Sequence, residues 1–162
     1  MNKNRGFTLI EVLVVVAIIA ILASILLVGL GRVRQQGADA RRIADLRTTA
    51  NLVELYATRC GFYPGSANPD GSCQDGVVAS WDELESVLKQ ADIAGEDLRL
   101  PRDPGNRVYD YLRQSDGQGY VLKATLDDVN NRALNSSWSD TLTAGGITIT
   151  CDASAGDYCI RL

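Results

Sequence analysis

Residues 7–30 read FTLIEVLVVVAIIAILASILLVGL, and the length and composition of this run decide how the rest of the chain is to be arranged. As a helix, 24 residues reach about 36 Å, enough to cross the hydrocarbon core of a bilayer. A secretory signal would have an apolar region of only about 7 to 15 residues, ending at a small-residue cleavage site, so the run is too long for one. A plain membrane anchor explains the length and the basic Lys3 and Arg5 in front of it. It gives no reason for Glu11, because a lone carboxylate in hydrocarbon costs roughly 2.5–3.5 kcal/mol on insertion scales. The first helical turn offers partial relief through the positive end of the helix dipole. Full neutralisation needs a cation, and cutting the chain between Gly6 and Phe7 would create one, an ammonium on Phe7 that a neighbouring parallel copy could present. Read this way, Glu11 is an assembly residue.

The order Arg5-Gly6-Phe7-Thr8-Leu9-Ile10-Glu11 followed by an apolar helix resembles the precursors of the type IV pilins and of the pseudopilins of type II secretion. The resemblance implies a leader, residues 1–6, removed by a prepilin peptidase after Gly6, with N-methylation of Phe7. It also implies that Glu11 pairs with the amino terminus of a neighbour. The partners implied are further copies of the chain in a helical filament, the peptidase, an inner-membrane assembly platform, and membrane lipid before assembly. Residues 7–30 are then the transmembrane and filament-core helix, 31–59 its amphipathic half, and 60–162 a globular head outside the cytoplasm. The product is an inner-membrane precursor that ends in a periplasmic or cell-surface filament. LPRDPGNRVYDY at 100–111 also resembles the stretch before the sheet in major pseudopilins, without the aromatic residue usual after Pro104.

Charge is unevenly divided. Residues 31–60 hold six Arg against Asp39, Asp45 and Glu54, whereas residues 61–162 hold eight basic and sixteen acidic side chains, so the stem is +3 and the head −8. An acidic head argues against nucleic acid as a partner. The stem arginines are interleaved with Asp on a helix, which reads as a solvated or subunit-packing face. Arg32, Arg34, Arg41 and Arg42 lie just beyond the apolar run and make orientation ambiguous by the positive-inside rule. The cysteines resolve it. Cys60, Cys73, Cys151 and Cys159 form no CxxC pair in a chain without His, a pattern that favours disulfides over zinc and therefore the oxidising side of the membrane. Of three possible connectivities, the local pairs Cys60–Cys73 and Cys151–Cys159 are expected, since each closes a short loop in turn-rich sequence.

Beyond the membrane run, Ile43, Leu46, Ala50, Val53 and Ala57 recur at helical spacing and predict one apolar stripe. Gly29, Gly31 and Gly37 separate the two halves and predict a bend or local melting. GFYPGSANPDGSCQDG at 61–76 reads as irregular loop. Ser80 with Glu83 has capping-box spacing before a short second helix whose apolar face is Trp81, Leu84, Val87, Leu88 and Ala91. Tyr109 and Tyr111 alternate before the turn SDGQG, and Tyr120, Leu122, Ala124 and Leu126 after it, which predicts a hairpin. Residues 147–150 and 158–160 supply further strands. The fold class expected is α+β, a long helix packed on a small antiparallel sheet, pilin-like.

An enzyme is not indicated. The absence of His, of a P-loop and of Gly-x-Ser-x-Gly leaves no catalytic residues to name and no cofactor site. Asp127, Asp128 and Asn130 cluster oxygens of the kind calcium takes, and the family resemblance implies calcium in a sheet loop, but the acidic Gly-rich loop that carries those ligands is missing and a polar turn accounts for them equally. Asn135-Ser136-Ser137 matches the short glycosylation pattern. The reading from another class is a monomeric single-pass anchor bearing a binding or sensory domain.

Overall fold

The computed structural model describes residues 8–65, 73, 77–95 and 97–162, and of residues 25–29 the backbone only. Gly6, Phe7 and the leader therefore lie outside the described residues, as does most of the loop 61–76. The element order is α1 (Leu9–Cys60), α2 (Trp81–Gln90), β1 (Asp110–Arg113), β2 (Tyr120–Thr125), a 3-10 turn (Arg132–Ser136), β3 (Thr141–Ala144), β4 (Ile147–Thr150), a second 3-10 turn (Ala153–Ala155) and β5 (Asp157–Arg161). The chain divides into two units, Met1–Gln36 and Gly37–Leu162.

Within the second unit a three-stranded antiparallel sheet, order β1-β2-β5, is the middle layer. Its register pairs Tyr111 with Leu122 and Leu122 with Ile160, so side chains of alternating residues share a face. Tyr111, Tyr120, Leu122, Ala124 and Tyr158 turn to one face and pack with Leu46, Val53 and Tyr56 of α1 and with the apolar side of α2. Leu112, Val121 and Cys159 turn to the other and pack with Ile149 and Cys151 from the β3–β4 hairpin. Two cores thus sit on either side of one sheet. Both disulfides join the local pairs, Cys60–Cys73 and Cys151–Cys159.

The predicted helix stripe is present, with Leu46, Ala50 and Val53 buried, and Thr49 and Tyr56 also fully buried beside it. The expected melting does not occur. Gly31 and Gly37 are helical within an uninterrupted α1, where each costs about 1 kcal/mol relative to Ala but the flanking hydrogen bonds persist. One half of the expected capping box forms: Ser80 Oγ accepts from the N–H of Glu83 at 3.2 Å, while the Glu83 carboxylate accepts from Ala79 N–H rather than from the cap residue itself. β3 was not foreseen. Its pairing with β4 turns through Gly145-Gly146, both at positive φ, the conformation a two-residue hairpin turn requires.

The reading of the stem arginines as a solvated face needs correcting at one position. Arg42 is 1% exposed and Asp39 0%. The Arg42 guanidinium meets Asp103 at 2.6 Å, Asp39 at 2.7 Å and Asp127 at 2.8 Å. Asp39 in turn accepts from the N–H groups of Asp127 and Asp128. One turn of α1 is thereby tied to the loop before β1 and to the loop after β2.

Candidate functional site

The N-terminal turn of α1 is built by its own sequence. Thr8 precedes the helix, its N–H and its hydroxyl both donate to Glu11 Oε2 at 2.8 Å, and its hydroxyl accepts from Glu11 N–H at 3.4 Å. Thr8 and Glu11 are cap and third residue of a reciprocal capping box, so two otherwise unpaired donors and the carboxylate satisfy one another. Glu11 lies in the first turn, as its sequence position implies, and Thr8 is an added partner. Thr8-Leu9-Ile10-Glu11 carries the signal for it, since the spacing is that of Ser80 and Glu83.

Around this turn the helix has no sheltered side. Leu9 is 83% exposed, and Val12, Leu13, Val14, Val15, Ile18, Ile19, Ile21 and Leu22 are each at least half exposed. These positions go all the way round a 3.6-residue helix, and such a helix is stable only when an apolar medium or other helices cover it. Ser24, the polar residue in the run besides Glu11, returns its hydroxyl to Ile21 O at 2.7 Å and so adds no unpaired donor. The described apolar side chains from Leu9 to Ser24 make about 24 Å of helix against a core of about 30 Å. Among the described residues no helix is long and apolar enough to cross a membrane.

The other sequence candidates are distributed as follows. Asp127 is committed to ion pairs with Arg42 and, at 2.7 Å, Arg107. Hydrogen bonding from Arg42 holds the Asp127 carboxyl below the usual range. Asp128 accepts from the N–H of Asn130 at 2.9 Å, closing a local turn. Among the described residues no group of three or more His, Cys, Asp or Glu is arranged to hold a metal ion.

Residues 1–27 match the family described as the prokaryotic N-terminal methylation motif. The type II secretion system core protein G of Aeromonas hydrophila is 30% identical over 114 residues, 69% of this chain and 76% of its own length. The protein of the same name from Vibrio cholerae is 29% identical over 127 residues, 78% of this chain and 79% of its own. The type IV wide pilus major component PilA4 of Thermus thermophilus is 43% identical over 56 residues, 35% of this chain and 43% of its own. No solved structure matches. A long N-terminal helix, a small antiparallel sheet and the methylation motif define a pilin-class protein. The chain belongs to the family of type IV pilins and type II secretion pseudopilins.

Proposed function

We propose that the chain is a structural subunit of a pilin-like filament, cut after Gly6 and assembled through its N-terminal helix, and that the filament is of the type II secretion kind. The observation that carries the assembly reading is a helix apolar on every side with one carboxylate, Glu11, at its first turn. The secretion reading is favoured by extent, since the core protein G relatives align over the head as well as the helix while the pilus component aligns over 56 residues. Before assembly the subunit sits in the inner membrane, with lipid covering residues 7–30 and the head outside the cytoplasm. The two disulfides support that side of the membrane. A prepilin peptidase and an inner-membrane platform are its processing and assembly partners, and the subunit performs no catalysis.

The mechanism is an exchange of partners. In the membrane Glu11 is held by Thr8; in the filament it accepts the Phe7 ammonium of a neighbour. Glu11→Gln keeps size and hydrogen bonding but removes the charge, so membrane insertion and processing should persist while each incoming ammonium enters the apolar core unpaired, at about 3–5 kcal/mol. The test compares membrane level, mature mass and sheared filaments for wild type and variant. A mature chain that retains Met1 to Gly6 defeats the processing step and points to a monomeric anchor. Filaments at normal yield from Glu11→Gln defeat the pairing.

A further inference from the structure

Asp127, Asp128 and Asn130 carry the oxygens that a calcium ion in the loop after β2 would have to use. Their bonds show how those oxygens are spent. Asp127 Oδ2 accepts from Arg42 Nη1 at 2.8 Å, and its Oδ1 lies 2.7 Å from Arg107 Nη2. Asp128 Oδ1 accepts from the N–H of Asn130 at 2.9 Å. A calcium ion takes about six to eight oxygens. With both oxygens of Asp127 held by guanidinium groups and one of Asp128 closing its own turn, these residues do not fit the ion.

A cation is nevertheless built into the same place. Arg42 Nε and Nη2 donate to the two oxygens of Asp103 at 2.6 and 3.3 Å, and Nη1 donates to Asp39 at 2.7 Å as well as to Asp127. Three carboxylates, from α1, from the loop before β1 and from the loop after β2, thus converge on one guanidinium that is 1% exposed. Asp39 extends the tie by accepting from the N–H groups of Asp127 and Asp128. Gly105 lets the chain close over the cluster, since a Cβ there would stand 3.0 Å from Arg42 Nη2 and 3.2 Å from Asp103 Oδ1. A metal ion gathers carboxylates from separate segments in the same way, but it is lost on dilution or chelation. A guanidinium stays charged throughout the working range of pH, and its own chain holds it in place.

We propose that the Arg42 guanidinium is the resident cation of this head, tying down the loop after β2 in place of a calcium ion, and that the head folds and assembles independently of calcium. The assembly half of this rests on the filament reading.

The test follows the thermal midpoint of the full-length chain in detergent micelles, in EGTA and in about 10 mM calcium chloride, a concentration above the roughly 10⁻⁴–10⁻³ M dissociation constants of weak extracellular calcium sites. The two wild-type midpoints should agree within about 1 °C, because only an ion with a seat on the folded chain raises the midpoint. Arg42→Met, measured in EGTA, should melt about 10 °C lower. A rise of several degrees with calcium in wild type overturns the proposal, and so does an Arg42→Met midpoint equal to that of wild type. Should the variant fail to fold, the wild-type comparison decides alone. Sheared wild-type filaments should keep their length in EGTA as in calcium, and shortening in EGTA overturns the assembly half. Absence of filaments in both sinks the filament reading and leaves the micelle result standing.

Discussion

Glu11 shows how much of an apparent anomaly a single turn of backbone can absorb. A carboxylate at membrane depth costs roughly 2.5–3.5 kcal/mol, and Thr8 answers it with two donors, each 2.8 Å from the same oxygen. The other carboxylate oxygen has no hydrogen bond among the described residues. Thr8→Val keeps the branched shape and removes the hydroxyl, which should cost about 1 kcal/mol of cap. Amide exchange in the first turn, measured in detergent micelles, should then quicken about fivefold, and Thr8→Ser should restore the wild-type rate. Unchanged exchange in Thr8→Val would mean that the hydroxyl contributes nothing to the turn. Arg42 presents the opposite case, a residue whose role could not be read. As one of six stem arginines with an Asp three positions before it, it looks like any solvated helical pair. Its partners Asp103 and Asp127 are 61 and 85 residues away, and no local pattern encodes that meeting.

The elements were legible where periodicity was strong. The stripe Leu46, Ala50, Val53, the face Trp81, Leu84, Leu88 and the tyrosine hairpin all take the faces their spacing assigns. β3 was not, because Thr-Leu-Thr-Ala offers one large apolar side chain between Ser139-Asp140 and Gly145-Gly146. What fixes α1 against the loops is the Arg42 cluster. Burial pushes Asp103 upward, but hydrogen bonds from Arg42 and from the N–H groups of Gly105 and Arg107 outweigh it and hold the carboxyl below its ordinary value. Asp127 is held low chiefly by Arg42, and Glu85, opposed by burial, is held low by Lys89 and Leu100 N–H. Folded-state carboxyls that are depressed bind protons less readily than the unfolded chain. Their contribution is therefore complete above the ordinary carboxylate value of about 4 and is lost as pH falls through and below it. Arg42→Met leaves Asp39 and Asp103 buried without their cation, and should cost about 3–5 kcal/mol. Urea titrations from pH 7 to pH 3 should show a lower midpoint for the variant at pH 7 and a shallower decline on acidification. Parallel pH profiles would show that the cluster is not the acid-sensitive element.

At the scale of the whole molecule, the second unit packs two modest cores on the two faces of one sheet and closes two short loops covalently. Separations of 13 and 8 residues correspond to about 2–3 kcal/mol each on the loop-entropy account, a large part of the roughly 5–15 kcal/mol typical of a domain. Reduction should therefore lower the thermal midpoint markedly. The order of reduction should follow access: Cys151 and Cys159 are 3% and 2% exposed, whereas Cys60 and Cys73 are half-buried. Timed alkylation with mass mapping should find Cys60–Cys73 opening first, and simultaneous opening would indicate global unfolding instead. The apolar helix carries a different consequence. Because its apolar side chains are alike on every side, they carry little information about rotation, and Glu11 is the charged mark on the described apolar stretch. That stretch behaves as a greased spindle with a single notch. In the proposed assembly the notch would choose which neighbour's terminus is met, and the freedom in rise and rotation that remains would be taken up by the heads, so the pitch of a fibre could change while the apolar residues stay the same.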